Sequence, residues 1–587
     1  MRIWLRNIHW HLLIAGLSLL FPVLLYRSRH LDDNTLTNWQ WVFQNAADPG
    51  QLWLMLLLLT PLFWLLAVAP ELREKIGVGH QFFQRQNWCP TPIFLVFLLA
   101  FCACLLFLDS PEVIVDASRY FIQAKSFGEH GPLYFFREWG GDIFAWTDLP
   151  LMSILYGMLF TVFGEARLAA QLLNALMFAL TALLIAQLGR DLWDEETGQA
   201  GALLFLGFPY LYSQTPLLLV DIGTMFFLLL AMASLHRAMT RGGAYYITLT
   251  CVAVIGVFLV KYSAWLLLSG LIPIFLYSLS PDWRRATLRA TAALLPAVLC
   301  VGAVFWGQRE IMAEQITLLL EFQRPALREG WTESLVSTFF FQTHPLLTAA
   351  LLYSLYRAGR LRDLRYPVVA WLVILVLVIL ELRRIRYSIP IFPLLALLAG
   401  YGLRDLADPA LRRHLLVVIA GSSLLLAWGA FLPFTQSMGD RNLQQAGRFL
   451  NTLPQEEIGV VVLAAEDPVM DPRVTLPLLD LFTRKEPFLI SLPEPPPPPP
   501  GVAQSPLRFT WEMKLPDFYQ PPPEPPLPEV LVIIKGSSGA LIPPEITVKL
   551  RGYRELGRFT NDSGIFQHHP LVLIYGASRP TKPLPDR

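Results

Sequence analysis

The residues whose types and spacing suggest chemistry are charges set at the ends of apolar runs. In VIVDASRYFIQAKSFGEHG, residues 113–131, Asp116 comes directly after an apolar stretch, and Arg119 and Tyr120 follow it. In PLLLVDIGTMFFLLL, residues 216–230, Asp221 is flanked by apolar residues on both sides. ELRRIRYSIPIFPLL, residues 381–395, brings Arg383, Arg384, Arg386 and Tyr387 together before another apolar run, and Lys261 stands alone in GVFLVKYSAW. Asp148 closes the long polar segment in TDLP. An ionisable side chain at such a place is expensive unless it is solvated or paired, so it is a functional candidate by default. Carboxylates there can take a proton or position a polar substrate. Guanidinium groups can hold phosphate oxygens bidentately, and a lysine can add a point charge. Plainer accounts also exist. Asp116 and Asp221 stand where helix N-caps would, and the arginines could snorkel to ordinary lipid head groups.

The elements that must position these residues are membrane helices. The chain has 587 residues, 54% hydrophobic and 16% charged, where soluble proteins carry about a quarter charged residues. A net charge of +1 gives no argument for nucleic acid. Apolar runs of about 17–21 residues, long enough to span, occur near 8–26, 51–69, 92–108, 168–188, 197–213, 222–238, 244–260, 262–279, 288–306, 340–356, 366–382, 387–403 and 412–432. Arg2 and Arg6 precede the first run with no small-residue cleavage site after it, which reads as an uncleaved helix.

The run 150–163 is short and is expected to lie along the interface instead of crossing. The loops HRAMTRGG, SPDWRRATLR, YRAGRLRDLR and GLRDLADPALRRH then all face the cytoplasm, as the positive-inside rule asks. This gives about 13 spans, a cytoplasmic N-terminus and an extracytoplasmic C-terminus. Asp116, Asp221, Lys261 and the arginines at 383–386 come out together on the external side. Three arginines on that side run against the charge rule, and a lipid phosphate would give them a reason to be there. The outer loop 109–149, with Gly131-Pro132 and REWGGD, is long enough to build a site.

Beyond residue 435 the composition changes. EIGVVVLAAE, EVLVIIKG and PLVLIYG read as short buried strands, and RNLQQAGRFLNTL and LPLLDLFTR as amphipathic helices. The proline runs of 493–528 read as a polyproline II excursion, most simply a stiff spacer. Cys89, Cys102, Cys104, Cys251 and Cys300 lie in or beside apolar runs and read as small core residues, with no disulfide framework. His568 and His569 are adjacent on an expected strand, so they point to opposite faces and suit no shared metal. Asn561-Asp562-Ser563 fits a glycosylation sequon, a common chance match.

Taken together, VDASRYFIQAKSFGEHG, TDLPLMSILYGMLFTVFGEARLAAQLLNAL, LLLVDIGTMFFLLLAMASL and RRIRYSIPIFPLLALLAG resemble, in order and spacing, the motifs of the GT-C superfamily of lipid-carrier-dependent glycosyltransferases. The resemblance spans about residues 92–403. It is nearest to the branch holding protein O-mannosyltransferases and the lipid A aminoarabinose transferase. The chain has Ala117 where that branch commonly has a second acid, and Asp148-Leu149-Pro150 where it often has Lys-Pro-Pro or His-Pro-Pro.

The resemblance implies a polytopic α-helical membrane protein with a GT-C core over 92–434. A two-helix N-terminal extension over 1–91 precedes it, and an extracytoplasmic α/β domain over 435–587 carries the proline-rich insertion. It implies inverting transfer of a sugar from a polyprenyl-phosphate donor to a hydroxyl of a lipid, glycan or protein acceptor at the outer face. Asp116 would be the base, with Asp221 as a second catalytic acid that positions acceptor or sugar. Arg384, Arg386, Lys261 and Tyr387 would hold the donor phosphate, and Arg119, Tyr120 and Asp148 would face the acceptor. No cofactor is required, although some GT-C branches use a divalent cation at such acids; no structural zinc is expected. A bacterial inner membrane suits the absence of external cysteines and of a retention signal. A transporter or flippase of lipid-linked sugars would use the same charges but should show inverted repeats, and none is evident. An O-antigen-type ligase or polymerase should carry its large external segment near the middle of the chain, whereas here it is C-terminal.

Overall fold

The computed structural model describes residues 2–76, 93–145, 149–279, 282–323, 333–463, 470–490, 514–521, 528–536, 542–560 and 570–578. Asp148, Asn561-Asp562-Ser563, His568-His569 and most of the proline-rich segment lie outside the described residues.

Helices dominate up to residue 450. Among the described residues, seven are long and apolar enough to cross a membrane: Ile8–Leu31, Pro49–Pro70, Arg167–Leu192, Asp221–Thr240, Trp283–Gly307, Ile385–Leu403 and Pro409–Ser437. Five shorter apolar helices accompany them, including Ala244–Val260 and Leu151–Phe163. Some runs expected as single spans are interrupted. The run 197–213 becomes Glu195–Leu204, a 3-10 turn and Pro209–Gln214, because the helical region is disfavoured for the residue before a proline and Phe208 sits at φ −114°, ψ 86°. The 262–279 run likewise passes through a 3-10 turn at Leu268–Gly270. Leu151–Phe163 and Ile93–Leu105 have thirteen residues each, about 20 Å of helix against a ~30 Å hydrocarbon core, so length does not separate the run expected at the interface from one expected to cross.

The helices are unequally buried. Of the Ile385–Leu403 span 94% is buried, and of Asp221–Thr240 89%, against 17% of Trp283–Gly307. The first two are therefore innermost, and Trp283–Gly307 shows most of its surface to lipid. Close packing of the inner helices relies on small residues. A Cβ on Gly400 would sit 2.8 Å from the backbone nitrogen of Gly201, so the two backbones touch there.

The C-terminal part is a five-stranded sheet in the order β2-β1-β3-β5-β4, with β1 Glu457–Leu463, β2 Glu486–Leu489, β3 Val530–Lys535, β4 Tyr553–Phe559 and β5 Leu571–Ala577. β1 pairs in parallel with β2 and β3, while β5 is antiparallel to β3 and β4. The expected strands are β1, β3 and β5, and the expected helices are Arg441–Leu450 and Pro472–Asp480. The sequence reading missed β2 and β4. β2 has only four residues, and β4, YRELGRF, is an edge strand with no fully buried residue, whose charges blunt further pairing.

Candidate active site

The first acid stands at the start of the outer helix Ala117–Glu138. Asp116 occupies the N-cap position but makes no capping hydrogen bond. Its carboxylate instead accepts from Arg119 Nη2 at 2.9 Å, one turn along, and from Arg386 Nη1 at 2.9 Å, 270 residues away in sequence. Asp221 opens the Asp221–Thr240 helix and is also not used as a cap. Its Oδ1 accepts from Lys261 Nζ at 3.0 Å and its Oδ2 from Arg386 Nε at 2.8 Å. One guanidinium therefore bridges the two carboxylates, and each carboxylate has a second cation of its own. Two carboxylates face three cations, so the cluster carries one net positive charge.

Tyr387 lies beneath Lys261, whose Nζ is 4.9 Å from the ring centroid, and Arg119 is 5.6 Å from the ring of Tyr120. Asp116, 28% exposed, is the more open of the acids; Asp221 is 5% exposed. Burial would push the Asp116 carboxyl up. The guanidinium groups of Arg119 and Arg386 and the Lys261 ammonium outweigh it and hold that carboxyl below the usual carboxylate range. Among the described residues, Arg386 Nη2 makes no hydrogen bond.

Arg384 is placed differently. It precedes the one-turn helix Ile385–Ser388 that carries Arg386 and lies in the field of Glu333. Glu333 accepts from the backbone nitrogen of Ile385 at 2.9 Å and from Thr35 of the N-terminal extension at 2.9 and 3.1 Å. Of the three arginines, Arg386 stands among the acids, Arg384 is half-buried at the start of the same short helix, and Arg383 is exposed. The extension consequently helps to hold the segment that presents Arg386.

Asp221 is held by residues the sequence reading did not single out. The backbone leading to it, Thr215–Val220, is non-helical yet fully buried. Such backbone is tolerated at membrane depth only where its polar groups find partners. Gln171 Nε2 donates to the carbonyl of Pro216 at 2.9 Å, Asn174 Nδ2 to that of Leu217 at 3.0 Å, and the Tyr156 hydroxyl to that of Leu219 at 3.0 Å. Glu112, fully buried, accepts from the Leu218 nitrogen at 3.3 Å and from Arg167 Nη2 at 2.7 Å. The available signal was Gln171 and Asn174 three apart on an apolar helix, which places them on one face. The quoted Gly-Glu-Ala-Arg segment also has a physical account. Arg167 anchors Glu112, and Glu165 pairs with Lys125 at 2.9 Å.

Both carboxylates that a divalent cation would use are already tied to guanidinium or ammonium groups. Among the described residues no group of three or more His, Cys, Asp or Glu side chains converges. This donor set does not fit a metal ion.

An apolar helical body, with charged groups gathered beside its innermost helix and a small α/β sheet at its C-terminus, defines a polytopic α-helical membrane protein. Residues 148–306 match the dolichyl-phosphate-mannose-protein mannosyltransferase family, PMT_2. The crystal structure of ArnT from Cupriavidus metallidurans bound to undecaprenyl phosphate superposes with a TM-score of 0.54 at 12% identity, covering 82% of this chain and 97% of that one. The apo form gives 0.51 at 14% identity with the same coverage. A sequence comparison with curated proteins finds no match. The chain has the fold of the GT-C glycosyltransferases.

Proposed function

We propose that the chain is an inverting glycosyltransferase that takes a sugar from a polyprenyl-phosphate donor and passes it to an acceptor hydroxyl at the outer face of the membrane. The observation that carries this reading is the Asp116–Arg386–Asp221 bridge with its net positive charge, set at the end of an innermost helix. A phosphate finds there a guanidinium with a nitrogen to spare, and Lys261 and Arg119 close by. The similarly folded ArnT bound to undecaprenyl phosphate supports a donor of that class.

In the reaction the acceptor oxygen attacks the anomeric carbon as the bond from that carbon to the phosphate oxygen breaks. The bonding pair leaves with the phosphate, and the hydroxyl proton passes to Asp116. Fixed cations stabilise the growing phosphate charge best where water is excluded.

A carboxyl held below its ordinary range is a poor base at rest, since a base works best with its pKa near the operating pH. A donor phosphate shares Arg386 and Arg119 with Asp116, weakens their hold, and brings the carboxyl back towards proton affinity. Donor binding thus arms the base. Asp221, buried and doubly paired, positions Arg386 and Lys261. Arg384 completes the charge that draws a lipid phosphate to this lip, and Tyr120, buried beneath the Arg119 guanidinium instead of facing an acceptor, backs that side chain. The distribution of basic loops supports a cytoplasmic N-terminus and an external sheet domain, as in a bacterial inner membrane.

Asp116→Asn, which keeps the shape and removes the proton acceptor, is expected to insert normally, bind undecaprenyl phosphate and lose sugar transfer by about 10²–10⁴-fold. Turnover near that of the native enzyme removes Asp116 from the role of base.

A further inference from the structure

A cavity of about 600 Å³ lies away from the charged cluster, between the outer helix Ala117–Glu138 and the sheet domain. This volume falls within the ~300–1,000 Å³ range of small-molecule sites. One wall is Ile122, Ser126 and His130, four apart on the first part of that helix, with Tyr134 from the part beyond the kink at Gly131 (φ 77°, ψ 173°). The other is the segment 514–520 with Arg473.

Its Arg and Lys are already matched, and Asp517, which accepts from Gln520 Nε2 at 2.8 Å, leaves the lining with an acceptor carboxylate. Arg473 Nε and Nη2 donate to Asp471 at 2.8 and 2.9 Å, and Lys514 Nζ is 3.1 Å from Asp142. Neutralised pairs make a weak phosphate site. They do present donors and acceptors in fixed places, which suits hydroxyl groups, and the Tyr134 and Phe518 rings line the same cavity.

The segment bearing Phe518 is pinned. Tyr519 is fully buried and its hydroxyl donates to Asp480 at 2.7 Å. Lys125 joins Asp480 and Glu165 at 2.9 Å each, and its Nζ is 5.1 Å from the Phe518 ring centroid. The cavity is therefore preorganised, which lowers the entropy lost on binding.

The wall is continuous with the proposed reaction centre. Ile122 lies six residues beyond Asp116 and Ser126 ten, about 9 and 15 Å along a helix rising 1.5 Å per residue. Resting on the glycosyl-transfer reading above, we propose that this cavity binds a saccharide portion of the acceptor, at least one sugar unit away from the hydroxyl that is glycosylated. The acceptor is then an oligosaccharide, free or carried on a lipid, and the sheet domain takes part in choosing it.

The test uses the purified full chain in detergent and reads hydrogen–deuterium exchange over 122–134 and 514–520. The probes are mannotriose, chitotriose, a serine-containing peptide and inorganic phosphate, each at millimolar concentration. The expected result is slowed exchange in both segments with at least one trisaccharide. Phe518→Ala and the exposed-residue variant His130→Ala should each weaken that effect roughly tenfold and leave undecaprenyl phosphate binding unchanged. Protection by neither trisaccharide, by peptide or phosphate alone, or protection undiminished in both variants, overturns the proposal. Neither readout needs turnover, so failure here is distinct from failure of the transfer reading, which would appear as undecaprenyl phosphate affinity unchanged in Arg386→Lys with saccharide protection intact.

Discussion

The substitution Arg386→Lys tests the centre of the proposed mechanism. Arg386 uses separate nitrogens for its carboxylates, Nε for Asp221 at 2.8 Å and Nη1 for Asp116 at 2.9 Å. A lysine keeps the positive charge but offers a single nitrogen on a flexible stem and cannot reproduce the planar fork. Each acid retains another cation, Lys261 at 3.0 Å or Arg119 at 2.9 Å, so neither is stranded without charge and the variant should fold.

What is lost in the resting protein is one charge-assisted hydrogen bond to an acid, and in the donor complex the hydrogen bond that Nη2 would donate to the phosphate. One such bond contributes about 1.5–3 kcal/mol, which corresponds to roughly 10–150-fold in donor affinity. The assay is equilibrium binding of undecaprenyl phosphate to the purified enzyme, with turnover and thermal midpoint measured beside it. The expected pattern is donor affinity down by that factor, a fall in kcat, and a thermal midpoint close to native. Arg386→Met is less informative, because it removes both bonds and the charge, and misfolding alone could account for the loss. Native donor affinity and turnover in Arg386→Lys would refute the idea that this bridge receives the phosphate, whatever else the cluster does.

Other expectations follow from the supports around the site. Arg167→Met leaves Glu112 charged and fully buried without its guanidinium, which should destabilise the protein by about 3–5 kcal/mol and show as a lowered thermal midpoint; Glu112→Gln in the same background should recover part of it. Gly400→Ala drives a methyl group against the Gly201 backbone and should cost about 1–3 kcal/mol, read by the same melt. Burial raises Asp480 to about 6 although Lys125 and the Tyr519 hydroxyl favour its charged form, and neighbouring Glu165 adds to the rise. The native state therefore holds that proton more tightly than the unfolded chain. Stability from this group grows as pH falls from about 6 towards 4, by at most ~3 kcal/mol, and is lost as pH rises through 6. Glu129, also raised, acts in the same direction, and Lys125 stays charged throughout. Asp480→Asn should flatten the dependence of the thermal midpoint across that window, and an unchanged slope would refute the assignment.

What the sequence allowed one to read, and what it did not, divides along a physical line. Asp116, Asp221, Lys261 and Arg386 were legible because each stands against an apolar background, where a charge needs a reason. Their meeting does not follow from spacing, since Arg386 is 270 residues from Asp116 and 165 from Asp221, but a shared side of the membrane made it a reasonable expectation. Arg384 shows where that logic weakens. It is two residues from Arg386 and chemically identical, yet it stands at the N-cap of a short helix and only Arg386, inside that helix, bridges the acids. Composition counts both arginines alike, and only the backbone separates them.

Glu112, Gln171 and Asn174 were overlooked for the opposite reason. They neither touch the charged cluster nor belong to a run of charge. Their work is to satisfy the backbone of Thr215–Val220, a need that arises only once that stretch is seen to be non-helical and buried. The two acids of the proposed site depend on different supports. Asp116 rides on the start of an outer helix whose far side faces the sheet domain. Asp221 hangs from a buried strap that Gln171, Asn174 and Glu112 keep in place. Arg386 is the joint between them, so a disturbance on either side reaches the proposed phosphate site through the same guanidinium. That geometry makes the proposed phosphate site rigid at Arg386 and Asp221 and leaves Asp116 the more open of its two acids.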